Sequence, residues 1–442
     1  MHLPTVPPAV TGHSSHRHDL AERRRTCLRA LTGLLASTVL FQRLVVPLGG
    51  TELSVVFILT YSTMAYLAGS GAIVVDRLNA LLYLLATSAC VLAVVTNFGT
   101  GKTTSLVYLV LIYLPFCLRL RGELRSIFAP LVDRFIALMT VLGVVGVLQM
   151  ALQLAGLWTY QDLVAVVVPV HYLARGYNTA YPIAYGSPLI KSTSFVFYEP
   201  SFFSQFVALA LIMTLLRKGA TWRVLVFVVA LACAVSGTGI LLLGVGLVCL
   251  ALRRGPTWTL RLAALAALAG AVVSVSPLGS AFLARRGEAS SQDSSASLRF
   301  VQPYQYTWQV LSHARPAAVG LGPGAADATA ARIGVATGRP IDFASSLKLL
   351  LEYGLPGGLA FLAFLLVALT RGTPSWVLTG CVLALHLVLS GGLLQAPTAF
   401  AAMVLTTTFA KSSSVLVGGL YVRLTQRRSA TGRPKPRQHL AA

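Results

Sequence analysis

Charge is what this chain has least of. Only 11% of its 442 residues are Asp, Glu, Lys or Arg, and 13 acidic side chains stand against 35 basic ones. Soluble domains carry about a quarter charged residues, so an ordinary water-soluble enzyme is excluded. No stretch between the apolar runs is long enough to fold as a conventional soluble domain. Cysteine is scarce as well. Cys27, Cys90, Cys117, Cys233, Cys249 and Cys381 have no metal-ligand spacing and lie in or beside apolar runs, so they read as packing residues and not as a disulfide framework or zinc site. Internal repeats are also missing, which weighs against transporters built from duplicated halves.

What is present is apolar sequence, 56% of the chain, in runs that recur along nearly its whole length. A hydrocarbon core near 30 Å takes about 20 residues of helix. The pattern predicts an all-α polytopic membrane domain over residues 29–420, between a basic N-tail (1–28) and a basic C-tail (421–442). Candidate spans are 29–48, 52–69, 78–97, 104–119, 134–157, 196–216, 222–236, 238–252, 258–277, 346–370, 375–391 and 397–418. The N-tail carries His13, His16, Arg17, His18 and Arg23-Arg24-Arg25 ahead of an apolar run with no clear A-x-A-like cleavage site. It reads as an uncleaved signal anchor.

The formal charge of +22 invites a nucleic-acid reading, but its placement argues otherwise. Starting inside, the clusters Arg77, Arg119/Arg121/Arg125, Arg217/Lys218/Arg223, Arg253/Arg254/Arg261, Arg371 and the C-tail all fall on the cytoplasmic side, as the positive-inside rule requires. The assignment needs a tight hairpin at Ser236-Gly237-Thr238-Gly239, because a single crossing there would expel one cluster. Twelve crossings with both termini cytoplasmic follow. They leave two long polar loops, about 158–195 and 278–345, on the outer face.

Phe98-Gly99-Thr100-Gly101-Lys102-Thr103-Thr104 ends like a phosphate-binding loop, yet Thr96 stands where its first Gly belongs and no soluble strand and helix flank it. It reads as a turn between helices. No nucleotide or metal motif is found. The first outer loop holds His171, Arg175, four tyrosines (Tyr172, Tyr177, Tyr181, Tyr185) and Lys191, then Ser194-Phe195-Val196-Phe197-Tyr198-Glu199-Pro200-Ser201. Two readings of Glu199 stand: an acidic residue at the positive end of a helix begun by Pro200, or a base that accepts a proton from a sugar hydroxyl. The tyrosines fit an interfacial belt or a sugar platform.

In the second loop, Arg299 precedes Phe300, Tyr304, Tyr306 and Trp308, spaced for a surface helix, and His313-Ala314-Arg315-Pro316 leads to Gly320-Leu321-Gly322-Pro323-Gly324. Arginine stays charged and grips phosphate oxygens in a fork. Arg299, Arg175, Lys191 and Arg315 are therefore candidates for a diphosphate, against the alternative of solvated loop cations. His313 is a second candidate base or a structural donor. Lys348 and Glu352, one helical turn apart, read as an ion pair that also lines the site. His386 reads as a packed, hydrogen-bonded residue.

On these residues the chain resembles the O-antigen ligase and O-antigen polymerase superfamily. Four features carry the resemblance, over about residues 130–370. They are the segment around Glu199-Pro200, the Ser236–Gly239 hairpin, Arg299 followed by an amphipathic stretch ending in Pro316 and the Gly-rich turn, and Leu351-Glu352-Tyr353-Gly354-Leu355-Pro356-Gly357-Gly358. The resemblance implies a metal-independent, cofactor-free glycosyltransferase of the bacterial cytoplasmic membrane. Its substrate would be an undecaprenyl diphosphate-linked oligosaccharide at the outer face, its other partners the bilayer, a flippase and a chain-length co-polymerase, with no nucleic acid. Two departures stand out. The Arg that often precedes the Glu-Pro segment is missing, with Lys191 or Arg175 in its place, and Phe343 stands where ligases commonly carry a His before the Gly corresponding to Gly354. The expectation is therefore a polysaccharide polymerase, with ligase-like transfer to a lipid or protein acceptor as the alternative. A flippase ranks lower, because the charges lie outside the apolar spans.

Overall fold

The computed structural model describes residues 12–49, 51–97, 101–184, 186–255, 257, 260, 264, 295–338 and 341–410. They are mostly helical, with two short antiparallel strand pairs, one of them a hairpin, as the only sheet among the described residues. By length and composition, five helices suffice to cross a membrane: α3 (Arg77–Thr96), α5 (Phe128–Leu154, extended by a 3-10 turn from Gly122), α7 (Pro200–Arg217), α9 (Gly237–Arg254) and α14 (Ser345–Thr370). Shorter apolar helices accompany them: α2 (Val55–Gly69), α4 (Thr103–Tyr113), α8 (Trp222–Ala234), α15 (Trp376–Leu383, continued by a π turn to Leu389) and α16 (Ala396–Leu405).

The expected span at 29–48 is realised differently. Helix α1 (Gly12–Leu40) ends early, and β1 (Val45–Leu48) pairs with β2 (Thr51–Ser54). Val45-Val46-Pro47 is β-branched and then lacks an N–H, which favours a short hairpin over continued helix. The span expected at 104–119 is also cut. Pro115 opens a 3-10 turn, and β4 (Leu118–Leu120) then pairs with β3 (Ile73–Val75). Apart from residues 260 and 264, the span at 258–277 lies outside the described residues, as do the loop portion 278–294 and the C-tail.

Helix α7 is the axis of the bundle. It is apolar on every side and buried almost throughout, packed by α5, α8 and α9. Gly239 permits this approach. A Cβ there would lie 2.6 Å from the Ser204 side chain on α7. The break expected at Ser236-Gly237-Thr238-Gly239 is real: α8 ends at Ala234, Val235 takes a left-handed conformation (φ 43°), and α9 starts at Gly237.

Charges separate to the two ends of the bundle. At one end Asp76 caps α3, accepting from the Leu78 and Asn79 amides, and meets Arg119 (3.0 Å) and Arg371 (3.0 Å). Nearby, Arg125 donates to Phe409 O and Gly372 O, Arg217 and Lys218 meet Asp133, and Arg254 donates to Leu216 O. The Asp76 carboxylate is almost fully buried between its two arginines. Charge-assisted hydrogen bonds contribute about 1.5–3 kcal/mol each. Asp76→Asn keeps the cap but leaves two cations without their counter-charge, and is expected to cost about 2 kcal/mol. A melt of the purified protein within about 0.5 kcal/mol of wild type, the range of neutral surface changes, would count against that role.

Candidate functional site

The opposite end gathers both polar loops. The first, which includes α6 (Leu163–Val167), is anchored by Arg43, whose Nη1 donates to Asp162 Oδ1 (2.7 Å) and Phe195 O (3.0 Å), while Thr179 adds a bond to Asp162. From α5, Gln149 Oε1 accepts from the Thr193 (3.1 Å) and Ser194 (2.9 Å) amides, and Ser194 Oγ donates to Leu142 O. These bonds hold Ser194 (φ 51°) and Phe195 (φ 63°) in a left-handed turn that non-glycine residues seldom adopt. The turn delivers Glu199, in extended conformation, to the first turn of α7, where Pro200 loses no amide bond.

The second loop folds into α10 (Ser295–Phe300), α11 (Gln302–Leu311), α12 (Ala314–Val319) and α13 (Ala325–Thr337). It lies across α14 through Tyr306 and Leu321, which pack with buried Ile341, Phe343, Leu347 and Leu351. Phe343 is thus a core side chain that meets Tyr306 edge-on. The Gly-rich turn docks into a kink of α14 at Gly354. There the Leu351 and Glu352 carbonyls, freed by the kink and by Pro356, accept from the Leu321 (2.8 Å) and Gly322 (3.0 Å) amides. Asn97, at the end of α3, donates to Val319 O and Gly320 O.

This docking brings Arg299 to Glu199 (Nη2–Oε2 3.9 Å) and to Asp342 (Nε–Oδ2 3.5 Å). Burial raises the Glu199 carboxyl above the ordinary carboxylate range. Arg299 and the Ser201 hydroxyl, 3.1 Å away, pull it part of the way back, and Asp342 pushes it up again. Tyr181 lies within the field of Glu199, Arg299 and Asp342, and the Lys191 ammonium sits 5.7 Å over its ring. Tyr177 stacks on Tyr198 (centroids 4.0 Å), accepts from Gln395 Nε2 and feels both Glu199 and Asp327. Arg299 thus sits half-buried between two carboxylates, with the Tyr181 ring inside the same field.

Of the residues expected at the site, Glu199, Arg299 and Lys191 are therefore grouped. Lys348 and Glu352 adjoin the group but do not form the expected ion pair. Lys348 meets Asp327 at 2.6 Å, while Glu352 Oε1 accepts from the Ala326 amide at the start of α13. The positive end of α13 takes the carboxylate, and the acidic residue in its first turn takes the lysine. Arg175 is 80% exposed and pairs with Glu52 at 3.2 Å. His313 is exposed with Nδ1 near Gln309 O (3.1 Å), and Arg315 is exposed beside it. Among the described residues, no contact joins His313, Arg315 or Arg175 to Glu199 or Arg299. His386 is packed as expected, 2.7 Å from the Tyr113 hydroxyl.

Asp342 and Asp327 were not singled out from sequence, although a chain with 13 acidic residues that places both beside loop cations offered a signal. The sequence matches no family model, and neither a curated protein nor a solved structure is detectably similar to it.

Proposed function

We propose that the chain polymerises undecaprenyl diphosphate-linked oligosaccharide repeat units at the outer face of the bacterial cytoplasmic membrane, as a multi-pass protein of twelve spans with both termini inside. The observation that carries this reading is the meeting of Arg299 and Glu199 at the mouth of the central helix α7. The cation-rich end around Arg119, Arg217 and Arg371 then faces the cytoplasm, and the Arg299 end faces outward.

In the reaction, an acceptor sugar hydroxyl attacks the anomeric carbon of the donor glycan. The new glycosidic C–O bond forms as the C–O bond to the lipid diphosphate breaks, and the hydroxyl proton passes to the Glu199 carboxylate. Negative charge grows on the leaving diphosphate, and we assign its stabilisation to Arg299, with Lys191, over the Tyr181 ring, in support. The lipid diphosphate is its own activated leaving group.

The test is incubation of purified protein with authentic lipid-linked repeat units, read on a gel. A ladder of multiples is expected. Transfer only to a different lipid or protein acceptor would replace polymerase with ligase, and no transfer to any acceptor would sink the reading. The pH profile tests the base. A carboxyl with a raised pKa is deprotonated only above that pKa, so the rate falls as pH drops, and it does so at a higher pH than an exposed glutamate would give. Asp342→Asn removes a charge that pushes Glu199 up, and should move that acid limb downward. An unmoved limb would detach Asp342 from the site.

A further inference from the structure

The cation-rich end contains a cavity that glycan transfer does not use. It measures about 350 Å³ and opens where α5, α7, α9 and the start of α15 converge. Phe128, Val132, Met213, Leu216 and Leu378 form its apolar wall, and Arg217 and Arg253 stand at it with Ser375, the cap of α15. Two cations meet one carboxylate here, and two more stand near them. Asp133 meets Arg217 (2.9 Å) and Lys218 (3.5 Å), Arg254 turns to Leu216 O, and Arg253 lines the cavity.

Depth in the membrane comes from a separate observation. Trp222, beneath Arg223, and Trp376, next to Ser375, are both exposed at this end. Exposed tryptophans at helix starts mark the headgroup level of a bilayer. The cavity thus joins an apolar wall suited to an acyl chain to an excess of positive charge at headgroup depth. The N-terminal dipole of α15 adds to that charge.

We propose that this cavity is a binding site for an anionic phospholipid of the inner leaflet, its phosphate held by Arg253 and Arg217 and its acyl chain against Phe128, Met213 and Leu378. Phosphate alone lacks the apolar half of the contact, and a zwitterionic lipid gains little from the surplus cations. The site rests on the membrane orientation proposed above, with the cation-rich end inside, and not on the transfer reaction at the other end.

The test is native mass spectrometry of the full-length protein in detergent, supplied with phosphatidylglycerol, cardiolipin or phosphatidylcholine. Preferential retention of the anionic lipids is expected. Arg253→Gln should weaken it about fivefold, the value of one cation near an anionic surface. Arg253→Lys should keep most of it, and Arg121→Gln, an equal charge loss at this end but outside the cavity, should leave it unchanged. Excess sodium phosphate should not displace the lipid. The proposal is overturned by equal retention of phosphatidylcholine, by equal losses in Arg253→Gln and Arg121→Gln, or by displacement with phosphate alone. Melting temperatures of the variants separate lost binding from lost folding, and ladder formation in Arg253→Gln stays at the wild-type level whichever way lipid retention falls.

Discussion

Glu199→Gln lowers ladder formation by about 10²–10⁴-fold, the usual contribution of a positioned base, and abolishes the acid limb of the pH profile. Arg299→Gln lowers it by about 10²–10³-fold, the loss seen when one preorganised donor to a developing anion is removed. The two effects are coupled because the residues face each other at 3.9 Å. Removing Arg299 also removes the cation that holds the Glu199 carboxyl down, so the acid limb of Arg299→Gln moves to higher pH and less base is present at neutrality. The double variant should therefore lose less than the product of the single losses. Arg299→Lys keeps the charge but not the fork, and recovers only part of the rate. The measurement is initial ladder rate across pH, with membrane insertion checked for each variant. Wild-type ladders from a properly inserted Arg299→Gln protein would remove Arg299 from the site, and an acid limb that survives Glu199→Gln would assign the base to another group.

Gly354→Ala costs about 2–6 kcal/mol and undoes the docking of the Gly-rich turn. Gly354 sits at φ 68°, ψ −174°, a region essentially closed to side chains, where residues cost about 1–3 kcal/mol. Its added Cβ would also lie 2.8 Å from the Gly320 and Val319 amide nitrogens and 2.9 Å from Ala317 O. All three are backbone atoms with nowhere to move, and overpacking adds about 1–3 kcal/mol. Gly320 is bound by the same geometry, since a Cβ there would strike the Glu352 carbonyl. Relief requires the turn to withdraw, which breaks the Leu321 and Gly322 amide bonds to α14 and draws α13 away from Glu352. The expected signature is a lower melting temperature with faster hydrogen exchange at Leu321 and Gly322. A Gly354→Ala protein that melts like wild type with both amides still protected would refute the docking account.

Several of these features were legible in the chain before any coordinates. The helix break at Val235 was marked by Ser236-Gly237-Thr238-Gly239, because a small-residue run and an apolar stretch flanked by cation clusters leave few other folds. Pro200 marks a helix start through its backbone chemistry, whereas the kink at Gly354 is a finding of the structure inside a span expected to run unbroken over 346–370. Glu199 and Arg299 were each singled out, but from separate loops. The β1–β2 hairpin was not anticipated, since Val45 and Val46 are as apolar as membrane helix and periodicity alone does not separate the two. Helical spacing puts Lys348 and Glu352 on one face but says nothing about a closer partner arriving from another loop, as Asp327 and the Ala326 amide do.

Composition and the order of charges along the chain were enough to determine a helical membrane protein with its cations crowded at one end and its polar loops elsewhere. Apolar length and charge placement are local properties, and the cost of burying an unpaired charge or a bare peptide group in hydrocarbon acts on each segment separately. Tertiary structure alone decided that Arg299 meets Glu199 and Asp342, that Lys348 meets Asp327, and that Arg175, His313 and Arg315 stay in solvent. Those pairings depend on how the Gly-rich turn seats in the α14 kink, where backbone contacts between residues distant in sequence choose the partners.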